Sequence, residues 1–295
     1  MLQMKSDFVM LRCGNSSASI SLLGAELRAW NVDDADMLWT PDPAFWDATA
    51  PVLFPVCGWT RGGEARVDGN TYPLGLHGFG RFERFEMNEQ SENRVRLVLR
   101  DNAATRAQYP FAFTLSIEYR LEDARLSVEI SVTNEGATAM PYAVGLHPGF
   151  QWPLAGGDKD DYAIRFDHPE KREVPVIAPG GLFSDLTRPA AFSDSRTLPL
   201  AEEVFAREAL CFLDAASSAL DLIGPRGRAL RIETSGFPHI VLWSRPGAPF
   251  LCIETWSGYG DPEHFSGELA EKPSMILLAP AEERLHSVTY TAGAS

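Results

Sequence analysis

The sequence predicts an all-β sandwich or barrel-like fold, and three observations carry that prediction. Its strongest periodicity is two, with apolar and polar residues alternating over short runs. Gly, Pro, Asn and Asp separate the runs, and 24 Gly with 21 Pro in 295 residues would break most long helices. The runs continue across the middle of the chain without a low-complexity linker or a repeated block, which predicts a single domain over residues 1–295.

Taken in order, the first clear run is 95–99. In 113–119 the apolar residues Phe113, Leu115, Ile117 and Tyr119 alternate with polar ones, and Leu126, Val128, Ile130 and Val132 repeat the pattern after a short polar break. That pair predicts neighbouring, half-buried antiparallel strands. Shorter runs at 230–233, 240–243, 250–254, 275–278 and 288–290 predict further strands. One stretch, 200–210, has the spacing of a short helix.

Composition narrows the function. Twenty-six Lys and Arg against 40 Asp and Glu give a formal charge of −14 with no basic run, which removes the electrostatic attraction that nucleic acids and anionic membranes need. Nucleic acid and membrane are therefore not expected as partners. The first seven residues lack the basic region and apolar segment of a secretory signal, and no apolar run approaches the roughly 20 residues of a membrane-spanning helix. A cytoplasmic protein is expected. Cys13, Cys57, Cys211 and Cys252 are scattered among apolar or small neighbours with no C-x-x-C pair, the pattern of buried thiols rather than a zinc site or disulfide framework. The carboxylates of Gly156-Gly157-Asp158-Lys159-Asp160-Asp161 lack the terminal Glu of a calcium loop and read as a solvated turn.

No nucleotide-binding glycine loop, nucleophile elbow or H-E-x-x-H motif is present. What stands out is two histidines and one glutamate. His77 lies in Gly75-Leu76-His77-Gly78-Phe79-Gly80-Arg81, where glycines allow close backbone approach. His147 lies in Val144-Gly145-Leu146-His147-Pro148-Gly149-Phe150, where a strand runs into a Pro-Gly turn. Glu254, in Leu251-Cys252-Ile253-Glu254-Thr255-Trp256, stands in an apolar strand, where a carboxylate must be paired or working because desolvation penalises its charge. Arg61, Arg81 and Arg245 are the candidate ion-pair partners if Glu254 is structural; a base of raised pKa beside an imidazole acid suits proton transfer at neutral pH. Trp59, Phe79, Phe150, Trp152, Trp256 and Tyr259 cluster around these segments; stacking on the apolar face of a sugar is one use and core packing the commoner one for any single residue, and as a set they favour a pocket.

At these residues the sequence resembles the aldose 1-epimerase (galactose mutarotase-like) family over nearly its whole length. The carriers are Phe54-Pro55 leading to Arg61-Gly62-Gly63, the two histidine segments, and Cys252-Ile253-Glu254-Thr255-Trp256. The resemblance implies a large antiparallel β-supersandwich without metal or cofactor. It also implies roles: Glu254 as the general base that takes the anomeric proton, and His147 as the general acid that protonates the ring oxygen. His77 and Arg61 would bind the sugar, with Arg81 helping through bidentate contacts. Phe79 and Trp256 are further substrate-binding candidates, and Glu208, in the predicted helix, is the candidate for an acidic sugar-binding residue of the best-known branch. Where that branch has Gly-Gly after the first histidine, Tyr-Phe-Asn after the second and Thr-Gln after the glutamate, this chain has Gly-Phe-Gly-Arg, Pro-Gly-Phe and Thr-Trp, which resembles a distinct bacterial branch.

Three functions follow as expectations: a hexose mutarotase acting on a free sugar, a hexose-6-phosphate 1-epimerase, and a non-catalytic carbohydrate-binding or sugar-sensing protein. The retention of both histidines with Glu254 favours catalysis, since sugar binding alone does not need a buried proton acceptor. Glycoside hydrolysis commonly needs two catalytic carboxylates, and the resemblance supplies one.

Overall fold

A computed structural model describes residues 7–293. Residues 1–6, most of the segment read for a leader, lie outside the described residues. Every run predicted as a strand is one. The alternating pair forms Phe113–Glu122 and Arg125–Asn134, in antiparallel register from Phe113 opposite Asn134 to Glu122 opposite Arg125. They lie within a nine-stranded antiparallel sheet. Its spatial order is Thr197–Pro199, Ala163–Phe166, Ala219–Gly224, Gly227–Ser235, Glu283–Ala292, Arg125–Asn134, Phe113–Glu122, Arg94–Arg100 and Glu86–Gln90.

A second sheet runs Leu210–Phe212, His239–Trp243, Phe250–Trp256, Gly145–Leu146 and Val52–Leu53, with Gly149–Gln151 also paired to Phe250–Trp256. Leu115, Ile117, Ile130 and Val288 of the large sheet join Leu242, Leu251 and Ile253 of the second in one buried apolar cluster. The meander Phe8–Cys13, Ser16–Ser21, Leu27–Val32 and Ala35–Asp36 adds Leu11, Ile20 and Trp30 to the same core.

The second sheet is buried on both faces, so its strands read as continuous apolar runs. All seven residues of Phe250–Trp256 are buried, yet successive side chains point to opposite sides. Leu251 and Ile253 enter the main core, whereas Cys252 and Trp256 belong to smaller clusters on the outer face. Glu254 shares the parity of Cys252 and Trp256, and its cross-strand neighbour is Val241. The alternation that builds the core thus aims one carboxylate away from it.

Residues 200–210 do not form the predicted α-helix. They contain a 3-10 turn at Glu202–Phe205 and then an open segment leading into Leu210–Phe212. Glu208 sits at φ 72°, outside helical backbone geometry. The Arg188 guanidinium donates to the carbonyls of Glu208 and Ala209 at 2.9 and 3.1 Å, holding the open segment before Leu210–Phe212. Phe205, the buried residue of the turn, packs edge-on against Trp152. The one α-helical turn among the described residues is Ala103–Arg106, started by an Asn102–Thr105 capping box.

No helix among the described residues is long and apolar enough to cross a membrane. Cys57, Cys211 and Cys252 are buried free thiols, while Cys13 is half-buried at the end of its strand. In the acidic turn, Asp161 accepts the backbone N–H of Asp158 at 2.9 Å and so organises the 3-10 turn Lys159–Asp161.

Candidate active site

A cavity of about 400 Å³ opens on the outer face of the second sheet, within the size range of small-molecule sites. Glu254, His147, His77, Arg81, Trp256 and Glu208 all line it. Residues as far apart as His77 and Trp256 thereby meet in one pocket through antiparallel pairing of Phe250–Trp256 with Gly145–Leu146, and of the latter with Val52–Leu53.

Glu254 has a side chain only 2% exposed. Trp256 Nε1 donates to its Oε2 at 2.9 Å, and His147 Nε2 lies 3.3 Å from the same oxygen. No arginine pairs with it among the described residues, so the ion-pair expectation with Arg61, Arg81 or Arg245 is replaced by a contact with an indole and an imidazole. Burial pushes the Glu254 carboxyl well above the usual carboxylate range, opposed by the Trp256 hydrogen bond.

His147 follows the short strand Gly145–Leu146, and its backbone N–H donates to the Pro51 carbonyl at 3.1 Å. Trp46 stacks on the imidazole with centroids 5.0 Å apart, and Trp243 meets it edge-on at 5.7 Å. Its Nδ1 is buried without a partner, which favours a bare lone pair there and the proton on Nε2, facing Glu254. Burial lowers the His147 pKa to about 3, with the Arg81 guanidinium pushing the same way.

His77 is held by its backbone. Both His77, at φ 63°, and Gly78, at φ 66°, are left-handed, and a side chain on Gly78 would collide with the Phe54 carbonyl. The Gly58 N–H donates to His77 Nδ1 at 3.0 Å, which places the remaining ring proton on Nε2. The two histidine rings stand perpendicular, 5.5 Å apart.

Two expected contributors lie elsewhere. The successive left-handed residues turn Phe79 back into the main core, where it is 3% exposed and packs edge-on against Phe54. Arg61 lines a separate cavity of about 210 Å³ with Thr60, Arg66 and Phe265, because Asp261 takes its backbone N–H at 2.8 Å and the Phe265 carbonyl takes its guanidinium at 3.4 Å. Of the aromatic set, Trp59 and Trp256 line the main cavity, Phe150 and Trp152 are wholly buried in the core, and Tyr259 packs on Phe183 and His239.

The structure adds residues that the sequence reading did not single out: Trp46, Trp243, Phe183 and Ile177 supply apolar wall. Arg245, expected only as an ion-pair partner, lines the cavity and extends over Trp243, its guanidinium 5.8 Å from the ring. Trp243 sits two residues beyond Val241 on the strand next to Glu254, so strand alternation could have found it. Trp46, in an irregular segment between Asp42 and Thr49, carried no such signal.

A buried histidine outside the cavity makes the pH response of the fold predictable. His239 Nδ1 accepts the Asp214 backbone N–H at 3.0 Å, and burial lowers its pKa to about 4. A folded value below the unfolded one means that its stabilising contribution is complete above about pH 6.5 and is lost as pH falls toward 4. Urea unfolding of wild type and His239→Gln at pH 7 and pH 4.5 checks this. The amide keeps an acceptor but does not titrate, so the acid-induced loss is expected to be smaller in the variant by about 2–3 kcal/mol. Equal losses would contradict the assignment.

Comparison with known proteins places this geometry among relatives. A family model described as aldose 1-epimerase matches residues 7–291. The chromosomal protein LacX of Lactococcus lactis is 32% identical over 280 residues, covering 91% of this chain and 94% of that one. A galactose mutarotase-like protein from Lactobacillus casei superposes with a TM-score of 0.90 at 26% identity, covering 97% of this chain and 100% of the other. A galactose mutarotase related enzyme from Lactobacillus acidophilus gives a TM-score of 0.86 at 27% identity, covering 97% of each chain.

Proposed function

This chain belongs to the aldose 1-epimerase family, and we propose that it interconverts the α and β anomers of a hexose by acid–base ring opening and reclosure. The observation that carries the reading is a buried carboxylate and a buried imidazole sharing one cavity, with Oε2 and Nε2 3.3 Å apart. In the proposed reaction the proton the pair shares passes from Glu254 to His147, and the carboxylate so formed takes the proton of the anomeric hydroxyl while the imidazolium gives one to the ring oxygen. The C1–O5 bond then breaks and leaves an open-chain aldehyde. Rotation about C1–C2 presents the other carbonyl face, and reclosure returns each proton to its origin. The pair ends as it began.

Burial supports this cycle. It resists a second proton on the pair until His147 titrates at about 3, and it resists loss of the shared one because Glu254 lies well above the usual carboxylate range. One transferable proton is therefore retained across neutral pH. His77, with its proton on Nε2, is a fixed neutral donor for a sugar oxygen.

A second reading, a hexose 6-phosphate as substrate, is favoured by one observation. Arg81 and Arg245 both line the cavity, and neither is in an ion pair with a carboxylate among the described residues. Two guanidiniums without a directly paired carboxylate suit a phosphate. The test is anomer exchange by magnetisation-transfer NMR with glucose, galactose and glucose 6-phosphate in one buffer. Enhanced exchange of a free hexose supports the first reading, and enhancement confined to the phosphorylated sugar supports the second. Exchange at the enzyme-free rate for all three would turn the assignment toward a sugar-binding protein.

A further inference from the structure

Among the described residues, Trp256 and His147 are the two whose polar atoms contact the Glu254 carboxylate. Residues 254 and 256 stand two apart on one strand, so both side chains leave the same face of the sheet. The indole N–H and His147 Nε2 converge on Oε2, and among the described residues none donates a hydrogen bond to Oε1.

The surroundings of the indole fix it in that position. Trp256 is only 5% exposed and meets the His77 ring edge-on at 5.6 Å. On another side lies Gly145, where an added Cβ would stand 2.9 Å from Trp256 Cδ1 and 3.1 Å from Cys57 Sγ. Glycine there is what admits the ring. Trp59, by contrast, is 40% exposed and lines the same cavity, so an accessible indole for stacking exists elsewhere.

We infer that Trp256 is the positioning residue of Glu254, holding Oε2 through its indole N–H so that Oε1 is the oxygen that takes the anomeric proton, rather than a platform on which the sugar stacks. The inference rests on the epimerase reading for its last step only. An indole is a donor and never an acceptor, so it always favours the ionised carboxylate, which burial alone would disfavour. The other groups facing the carboxyl do not fill this role. The thiols of Cys57, Cys211 and Cys252 are pushed far above their ordinary range by burial, His77 is held neutral, and Arg81 makes no hydrogen bond to Glu254.

The experiment follows the carboxyl itself. In protein labelled with ¹³C-glutamate, the Glu254 Cδ resonance, assigned by its absence in Glu254→Gln, is titrated without sugar in wild type and in Trp256→Phe. Loss of one charge-assisted hydrogen bond is expected to move the midpoint up by about one unit, roughly a tenfold change in ionisation constant. In anomer-exchange kinetics the same variant is expected to show a pH profile displaced upward and a reduced kcat, with KM within about twofold. A KM raised tenfold or more over an unmoved carboxyl titration would overturn the inference in favour of a stacking platform. Should Trp256→Phe fail to fold, wild type still decides: the Trp256 indole ¹H–¹⁵N resonance must follow the Glu254 titration and become flat with pH in Glu254→Gln. An indole resonance blind to that titration would overturn it equally. Both titrations contain no substrate, so failure of the enzyme to exchange any sugar would remove the epimerase reading and leave the indole–carboxyl coupling separately judged.

Discussion

Replacing Glu254 with Gln is expected to lower anomer exchange by about 10²- to 10⁴-fold, the scale of losing one general base, while sugar affinity stays within a few fold. The amide has the shape of the carboxyl and can still accept the Trp256 N–H through its oxygen, so the pocket keeps its form. It cannot take the anomeric proton. The substitution also removes an acid that burial already holds toward its neutral form. Nothing is left uncompensated in the folded state, and the variant should melt at or above the wild-type temperature. Magnetisation-transfer rates beside saturation-transfer binding and a thermal melt separate these effects. Loss of exchange with loss of folding would say nothing about a base, whereas full exchange in a folded variant would remove Glu254 from the reaction.

How much of this was legible beforehand follows from the physics of each element. Strand alternation is local, so Phe113–Glu122, Arg125–Asn134 and their neighbours could be read from single windows. Glu254 was legible for a different reason: a carboxylate within an apolar run conflicts with its surroundings, and such conflicts collect at working sites. The helix expected at 200–210 gives way because Glu208 is left-handed and the chain enters the strand Leu210–Phe212, which pairs with Ile240–Leu242 about 30 residues away, a partner no local window contains. Arg61 and Phe79 failed through backbone direction. One is turned toward Asp261 and Phe265, and the other is returned to the core by the two left-handed residues before it. Trp46 reaches His147 only through the fold, and its contact with Trp243 and Phe250 depends on the same sheet that carries Glu254.

The second large effect is expected at His147, and it should not add to the first. His147→Asn removes the ring that faces both Glu254 Oε2 and the cavity, and exchange should again fall by about 10²- to 10⁴-fold. If the two groups pass one retained proton between them and the sugar, either loss stops the cycle, and the double variant Glu254→Gln/His147→Asn should be no slower than the slower single one. Independent contributions would instead multiply. The structure argues for the first outcome because both groups meet at a single carboxylate oxygen lining one cavity, with the imidazole packed against Trp46 and Trp243. A sugar that opens with a base but no acid leaves its ring oxygen as an alkoxide. With an acid but no base it leaves the anomeric proton in place, and neither half-reaction lowers the barrier that the pair lowers together. Rates from the four proteins under one set of conditions give the coupling directly, and a double variant slower than either single one by the full product would show that the imidazole and the carboxylate act apart.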